Sequence, residues 1–199
     1  MGFAAKKIEK KYSYADYLEW EDNRRWEIID GDVYDMSPSP LRKHQFTSIE
    51  LSWQIKNFLK ANKRPCEAYH APFDVRFPES VKNDEEIIDV VQPDIVVICD
   101  YSKLDRRGCH GAPDFIIEIL SPYTAHKDHN IKRDLYEKNK VKEYWIIDPS
   151  NKIVTVYILD EKNRYEKPMI HSKQGKLKVA ALEGLEIDFD DIFSASVFE

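Results

Sequence analysis

Apolar residues in this chain fall into short blocks of strand-like run or alternation, and take helical spacing in a few places. The clearest helical stretch is 41–62. Leu51, Ile55, Phe58 and Leu59 recur at i, i+4, i+7 and i+8 and form one apolar face. Lys56, Lys60, Lys63 and Arg64 crowd its last turn, where positive charge suits the helix dipole. A second helix is predicted over 129–140. Ser13-Tyr14-Ala15-Asp16 has the form of a capping box with Asp in the acidic position, opening a short helix that reaches Trp20.

Between these lie the strands. Residues 26–34 read as a β-hairpin, with Asp30-Gly31 as the turn between two apolar arms. Ser37-Pro38-Ser39-Pro40 ends it, because proline cannot donate to a ladder. Further strands are predicted over 67–77, 88–99, 114–120, 143–148 and 152–159. The segments 88–99 and 114–120 are dense in Ile and Val, as strands covered on both faces are. The tail, 164–193, reads as one or two short strands or a closing helix. The expected fold is α/β (α+β): one mixed β-sheet flanked by two main helices, with an N-terminal β-hairpin. Neither a repeat nor a Gly/Ser-rich linker divides the chain, so a single domain is expected over 1–199, with 1–12 as an N-terminal arm.

Composition narrows the class. At 199 residues, 42% hydrophobic and 33% charged, the chain is neither collagen-like nor low-complexity nor mostly disordered. Three cysteines, Cys66, Cys99 and Cys109, cannot close into a disulfide framework, and Cys99 lies in an apolar run as a core thiol would. That spacing implies a reducing compartment and a cytoplasmic location. No apolar stretch approaches the ~20 residues that cross a bilayer, so no membrane partner is expected. The lysine-rich start is followed by no apolar run and does not read as a secretory signal. The net charge of -6 argues against a dedicated non-specific nucleic-acid binder. Even so, six bases stand against one acid over 41–65, and such a segment can make a local phosphate-facing surface.

Two carboxylates interrupt the most buried-looking strands. Asp94 follows Pro93 and precedes Ile95-Val96-Val97-Ile98; Glu118 lies within Phe115-Ile116-Ile117-Glu118-Ile119-Leu120. An ionised carboxylate in an apolar strand is expensive to desolvate unless a cation pairs with it. Two of them on neighbouring strands point to a shared cation site. Asp128, Lys132 and Tyr136 are spaced i, i+4, i+8 and line one helix face. If Ser121-Pro122-Tyr123-Thr124 folds that helix back over the sheet, Lys132 reaches the carboxylate pair and can hold a water or neutralise a phosphate. His126 and His129 lie beside Asp128, but no cysteine pair accompanies them as a structural zinc site would require.

Several motifs occur in a fixed order: Trp26-Glu27-Ile28-Ile29-Asp30-Gly31; Ser37-Pro38-Ser39-Pro40 leading to His44; Gln92-Pro93-Asp94-Ile95-Val96-Val97; and Gly111-Ala112-Pro113-Asp114-Phe115-Ile116-Ile117-Glu118-Ile119-Leu120-Ser121-Pro122. Asp128 with Lys132 and Tyr136, then Val141-Lys142-Glu143-Tyr144-Trp145-Ile146-Ile147-Asp148-Pro149, complete the series. Over about 13–160 the chain resembles the Uma family of restriction endonucleases, a branch of the PD-(D/E)XK nuclease superfamily. The resemblance implies a restriction-endonuclease-like core, a magnesium site in which manganese can substitute, DNA as partner, and a second copy of the chain as a further candidate partner. It places Asp94 and Glu118 as metal-binding catalytic carboxylates, with the Ile119 carbonyl as a third oxygen. Where the superfamily pattern has lysine two positions after the acidic residue, this chain has Leu120; the resemblance puts Lys132 in that role. Glu27, His44, Asp128 and Tyr136 are expected beside the site. The expected function is metal-dependent DNA phosphodiester hydrolysis. The alternatives are a binding or assembly protein that kept the nuclease fold, and a hydrolase of a smaller phosphorylated substrate.

Overall fold

The computed structural model describes residues 10–21, 24–36, 41–78, 83–121, 125–172, 175–193 and 196. Helix α1 (Tyr14–Leu18) opens on Ser13, whose hydroxyl accepts from the Asp16 amide while the Asp16 carboxylate accepts from the Ser13 amide. The expected capping box therefore forms. Strands β1 (Trp26–Ile29) and β2 (Asp32–Asp35) pair antiparallel about Asp30 (φ 50°) and Gly31 (φ 73°). Two successive left-handed residues are what a two-residue hairpin turn demands. The Ser37 to Pro40 segment lies outside the described residues. Helix α2 (Arg42–Ala61) buries Leu51, Ile55 and Leu59 of the expected stripe and also Thr47, while Phe58 is partly buried against the same core.

The remaining strands are β3 (Glu67–His70), β4 (Val75–Arg76), β5 (Val90–Val91), β6 (Ile95–Ile98), β7 (Leu104–Asp105), β8 (Gly108–His110) and β9 (Phe115–Ile119). After α3 (Arg133–Lys138) come β10 (Glu143–Asp148), β11 (Ile153–Ile158), β12 (Met169–Ser172), β13 (Lys176–Lys178) and β14 (Glu186–Asp188), and then α4 (Phe189–Phe193). The tail thus contains both strands and a helix.

In place of one mixed sheet there are two of six strands each and a two-stranded one, β13-β14. The hairpin sheet runs β2-β1-β5-β4-β8-β7 and the central sheet β12-β11-β10-β9-β6-β3. The single strands expected over 67–77 and 88–99 are each cut in two, at Ala71-Pro72 and Gln92-Pro93. Proline offers no N–H to a ladder. At both points the chain passes from one sheet to the other, so β3 and β6 are central while β4 and β5 belong to the hairpin sheet. Strands β7 and β8 are too short and polar to show an alternation in sequence.

The central sheet is covered on both faces, as its Ile- and Val-rich strands require. On one face Ile95, Val97, Phe115, Ile117, Trp145 and Ile147 pack with Leu51 and Ile55 of α2 and with Phe189, Ile192 and Phe193 of α4. On the other, Val96, Ile98, Ile116, Tyr144 and Ile146 meet Val75 and Val91 of the hairpin sheet and Leu135 and Tyr136 of α3. No helix among the described residues is long and apolar enough to cross a membrane.

One cysteine reading is corrected. Cys66 and Cys99 flank the Glu67–Ile98 pair at the end of the β3–β6 ladder and form a disulfide. Their separation in sequence gave no sign that β3 and β6 are neighbours, and the reducing compartment loses its basis. Only Cys109 is a free, buried thiol among the described residues.

Candidate active site

The β6–β9 register fixes the first relationship. Ile95 lies opposite Ile117 at the end of this antiparallel ladder, so the next residues, Asp94 and Glu118, come close enough for the Asp94 charge to act on Glu118. Asp94 Oδ2 accepts from the Ile119 amide at 2.8 Å and stands 3.2 Å from His44 Nε2 on the first turns of α2. Glu118 Oε1 accepts from Lys132 Nζ and from the Tyr136 hydroxyl, both at 2.8 Å. Neither Asp94 Oδ1 nor Glu118 Oε2 hydrogen-bonds any described residue.

Lys132 is the hub of the cluster. Its ammonium lies 2.8 Å from Glu27 Oε1, 2.8 Å from Glu118 Oε1 and 3.8 Å from Asp128 Oδ1. Glu27, on β1, is wholly buried; it also accepts from the Gln92 amide at 3.0 Å and pairs with Lys127 at 2.6 Å. Lys127 to Lys132 form a π-helical turn that runs on into α3, so helical structure begins ahead of the predicted residue 129. Such turns are rare and concentrate at functional sites. The Tyr144 hydroxyl donates to the Asp128 carbonyl and anchors the turn on the central sheet. Residues 122–124 of the preceding loop lie outside the described residues.

Lys127 and Lys132 face Glu27, Glu118 and Asp128 in a nearly dry environment. Burial raises the Glu118 pKa, and the nearby Asp128, Asp94 and Glu27 charges raise it further against the pull of Lys132. Burial acts the same way on Glu27, but its two lysines outweigh it and hold that carboxyl below its usual range. Lys132 is itself desolvated, yet its carboxylates keep its pKa well above the ordinary value. Burial works to lower the His44 pKa, but the hydrogen bond and charge of Asp94, aided by a hydrogen bond to the Ile119 backbone, raise it overall.

The structure brings Glu27, His44, Asp94, Glu118, Ile119, Asp128, Lys132 and Tyr136 to one locus. It does not bring His126 and His129 into it. Among the described residues, no group of three or more His, Cys, Asp and Glu side chains is arranged to hold a metal ion. Sequence reasoning missed Lys127 and Gln92. Both adjoin residues it did single out, but neither carries a pattern of its own. Beside His44, a cleft of about 340 Å³ is lined by Leu41, Arg42, Lys43, Leu120, Ser121, Pro149 and Ser150.

Comparison with known proteins places the chain in a family. The sequence matches the Uma2 family, described as "Putative restriction endonuclease", over residues 14–190. An uncharacterized protein of Synechocystis sp., slr1290, is 27% identical over 152 residues, which span 74% of each chain. The crystal structure of a putative nuclease belonging to DUF820 from Anabaena variabilis ATCC 29413 superposes with a TM-score of 0.69 at 22% identity. It covers 92% of this chain and 97% of its own. The structural likeness shows a shared fold, and the family match supports a nuclease-like function. Matched along nearly its whole length, the chain belongs to the Uma2 family.

Proposed function

We propose that this protein is a divalent-metal-dependent endonuclease that hydrolyses DNA phosphodiester bonds, with Asp94, Glu118 and Lys132 as its catalytic residues. The observation that carries the reading is the neighbouring pair of carboxylates, each with one oxygen engaged by the protein and one left over. With the Ile119 carbonyl they offer hard oxygen donors of the kind magnesium takes and manganese accepts. Bound there, such a metal supplies Lewis-acid stabilisation of phosphate charge and a water of lowered pKa.

The chain's own residues do the rest. Lys132 keeps a permanent positive charge against Glu118, where a water and a phosphate oxygen can be held. Tyr136 fixes the Glu118 rotamer, and Glu27 with Lys127 fixes Lys132. His44, protonated further up the pH scale than an ordinary histidine, is a proton source beside Asp94. Arg42 and Lys43 give the adjoining cleft the charge a phosphodiester needs.

The test is incubation of mixed DNA substrates with magnesium or manganese, using wild type and Asp94→Ala. Cleavage by wild type alone supports the proposal. Cleavage that survives Asp94→Ala overturns the site, and turnover of nucleotides but not polymers reassigns the substrate. One observation favours a second reading, a nuclease-fold binding protein: the Lys132 ammonium, 3% exposed, already contacts three carboxylates. DNA binding without cleavage under every metal would select it.

A further inference from the structure

The 20-residue helix α2 carries basic groups at both ends. Arg42 and Lys43 lie beside the candidate active site. Lys56, Lys60, Lys63 and Arg64 line a separate cleft of about 560 Å³ on the outer side of β3, with Tyr69 and Tyr101 also among its lining residues. The helix dipole accounts for Lys60 in the last turn. Lys63 and Arg64 follow the Asn62 cap and carry that positive charge beyond the helix into the cleft.

We infer that this distal cleft grips the DNA backbone, so that a duplex cut at the candidate active site is also held about seven base pairs away. The inference rests on the nuclease reading and extends its substrate contacts. Three observations carry it.

The first is charge. Lys56, Lys60 and Lys63 are exposed, and none makes an ion pair with a described residue. The acid in the lining, Glu67, is engaged by the Tyr69 hydroxyl. A concentration of unpaired cations on a chain of net charge -6 marks a surface suited to a polyanion.

The second is preorganisation. Arg64 donates to the Glu183 carbonyl at 2.6 Å, which fixes its side chain at the cleft wall. Tyr69 stacks on Phe73 with ring centroids 4.3 Å apart. Arginine, lysine and tyrosine side chains are the usual partners of phosphate and sugar.

The third is distance. Strand β3 is the terminal strand of the central sheet, and it leads from the cleft to the site. Glu67 pairs with Ile98 at the cleft end and His70 with Ile95 at the other, and the Ala71 amide then donates to the Asp94 carbonyl at 3.0 Å. The gripping lysines stand further off: sixteen residues of α2 separate His44, which touches Asp94, from Lys60, and at 1.5 Å per residue they span about 24 Å, the rise of about seven base pairs.

The experiment measures binding of a labelled 20-base-pair duplex in metal-free buffer across a salt series, where no cleavage interferes. Lys60→Ala/Lys63→Ala changes only exposed side chains. Its affinity should fall tenfold or more on every sequence, and the slope of log affinity against log salt should shrink by about two. Lys140→Ala/Lys162→Ala, exposed lysines elsewhere, should match wild type. Cleavage of duplexes ending within about three base pairs of the cut should be the same in wild type and Lys60→Ala/Lys63→Ala, because such ends do not reach the cleft.

Wild-type affinity and slope in Lys60→Ala/Lys63→Ala would overturn the inference while leaving cleavage, and so the nuclease reading, intact. An equal loss in the control pair would also overturn it, as would a wild type that binds no duplex. Binding that depends on Lys60 and Lys63 in a protein that cleaves nothing would uphold the cleft and remove the nuclease reading instead.

Discussion

Lys132 Nζ stands 2.8 Å from Glu27 Oε1, joining the helix that serves Glu118 to the first strand of the hairpin sheet. One buried ammonium thus holds carboxylates from both sheets. Lys132→Ala should therefore lose about 3–5 kcal/mol in urea unfolding, because it strands buried charges without a partner. Lys132→Met combined with Glu27→Gln should recover much of that loss, since both members of one pair then become neutral. A wild-type unfolding midpoint in Lys132→Ala would show that the lysine does not hold the cluster.

Glu118 should set fold and chemistry against each other. Its pKa is raised by burial and by like charges, so ionisation weakens the folded state. That penalty is absent below the ordinary carboxylate value of 4.5 and grows as pH rises through the folded value. Glu118→Gln keeps the shape and carries no charge. In metal-free melts the variant should be as stable as wild type or more so above neutral pH, with the gap closing towards pH 4.5. With magnesium only wild type should gain, by about 2.7 kcal/mol at a hundredfold excess over Kd. A variant that melts far below wild type without metal would make Glu118 a structural ion-pair partner.

His44 gives a pH dependence of the same sign, beginning from a higher pH. A histidine whose folded pKa is raised contributes stability that is full below the unfolded value of 6.5 and is lost as pH climbs through the folded one. His44→Gln should therefore cost more stability at pH 6 than at pH 9. An NMR titration of the His44 ring with its midpoint at or below 6.5 would refute this.

Much of the cluster was legible because its residues break local rules. Asp94 and Glu118 are charges in apolar strands, and Asp128, Lys132 and Tyr136 share a helical spacing that survives the π turn. What was not legible is long-range. Nothing local to Lys127 or Gln92 tells that they meet Glu27, and nothing local to Cys66 tells that it meets Cys99. The second sheet was hidden for the same reason. Prolines 72 and 93 mark the strand breaks, but a break does not say which sheet the next strand joins.

Asp94→Asn separates metal binding from folding. The amide oxygen can still accept from the Ile119 amide, so at pH 9, above the range in which the His44–Asp94 charge interaction contributes, the metal-free melting temperature should stay near that of wild type. The rise in melting temperature on adding magnesium, and its reversal by a chelator, should disappear, because a neutral amide is a poor ligand for a hard dication. An undiminished magnesium shift in this variant would place the metal elsewhere.

The crossings between sheets also govern when a working site can exist. Glu27 is made early and Lys132 late, and Tyr144, which anchors the π turn, comes later still. A chain growing from the ribosome holds the first carboxylate long before it holds the lysine that neutralises it. Until the π turn and β10 have emerged, no nascent fragment contains the whole cluster. A fragment that ends before β10 therefore lacks Tyr144, and with it the hydroxyl that ties the π turn to the central sheet.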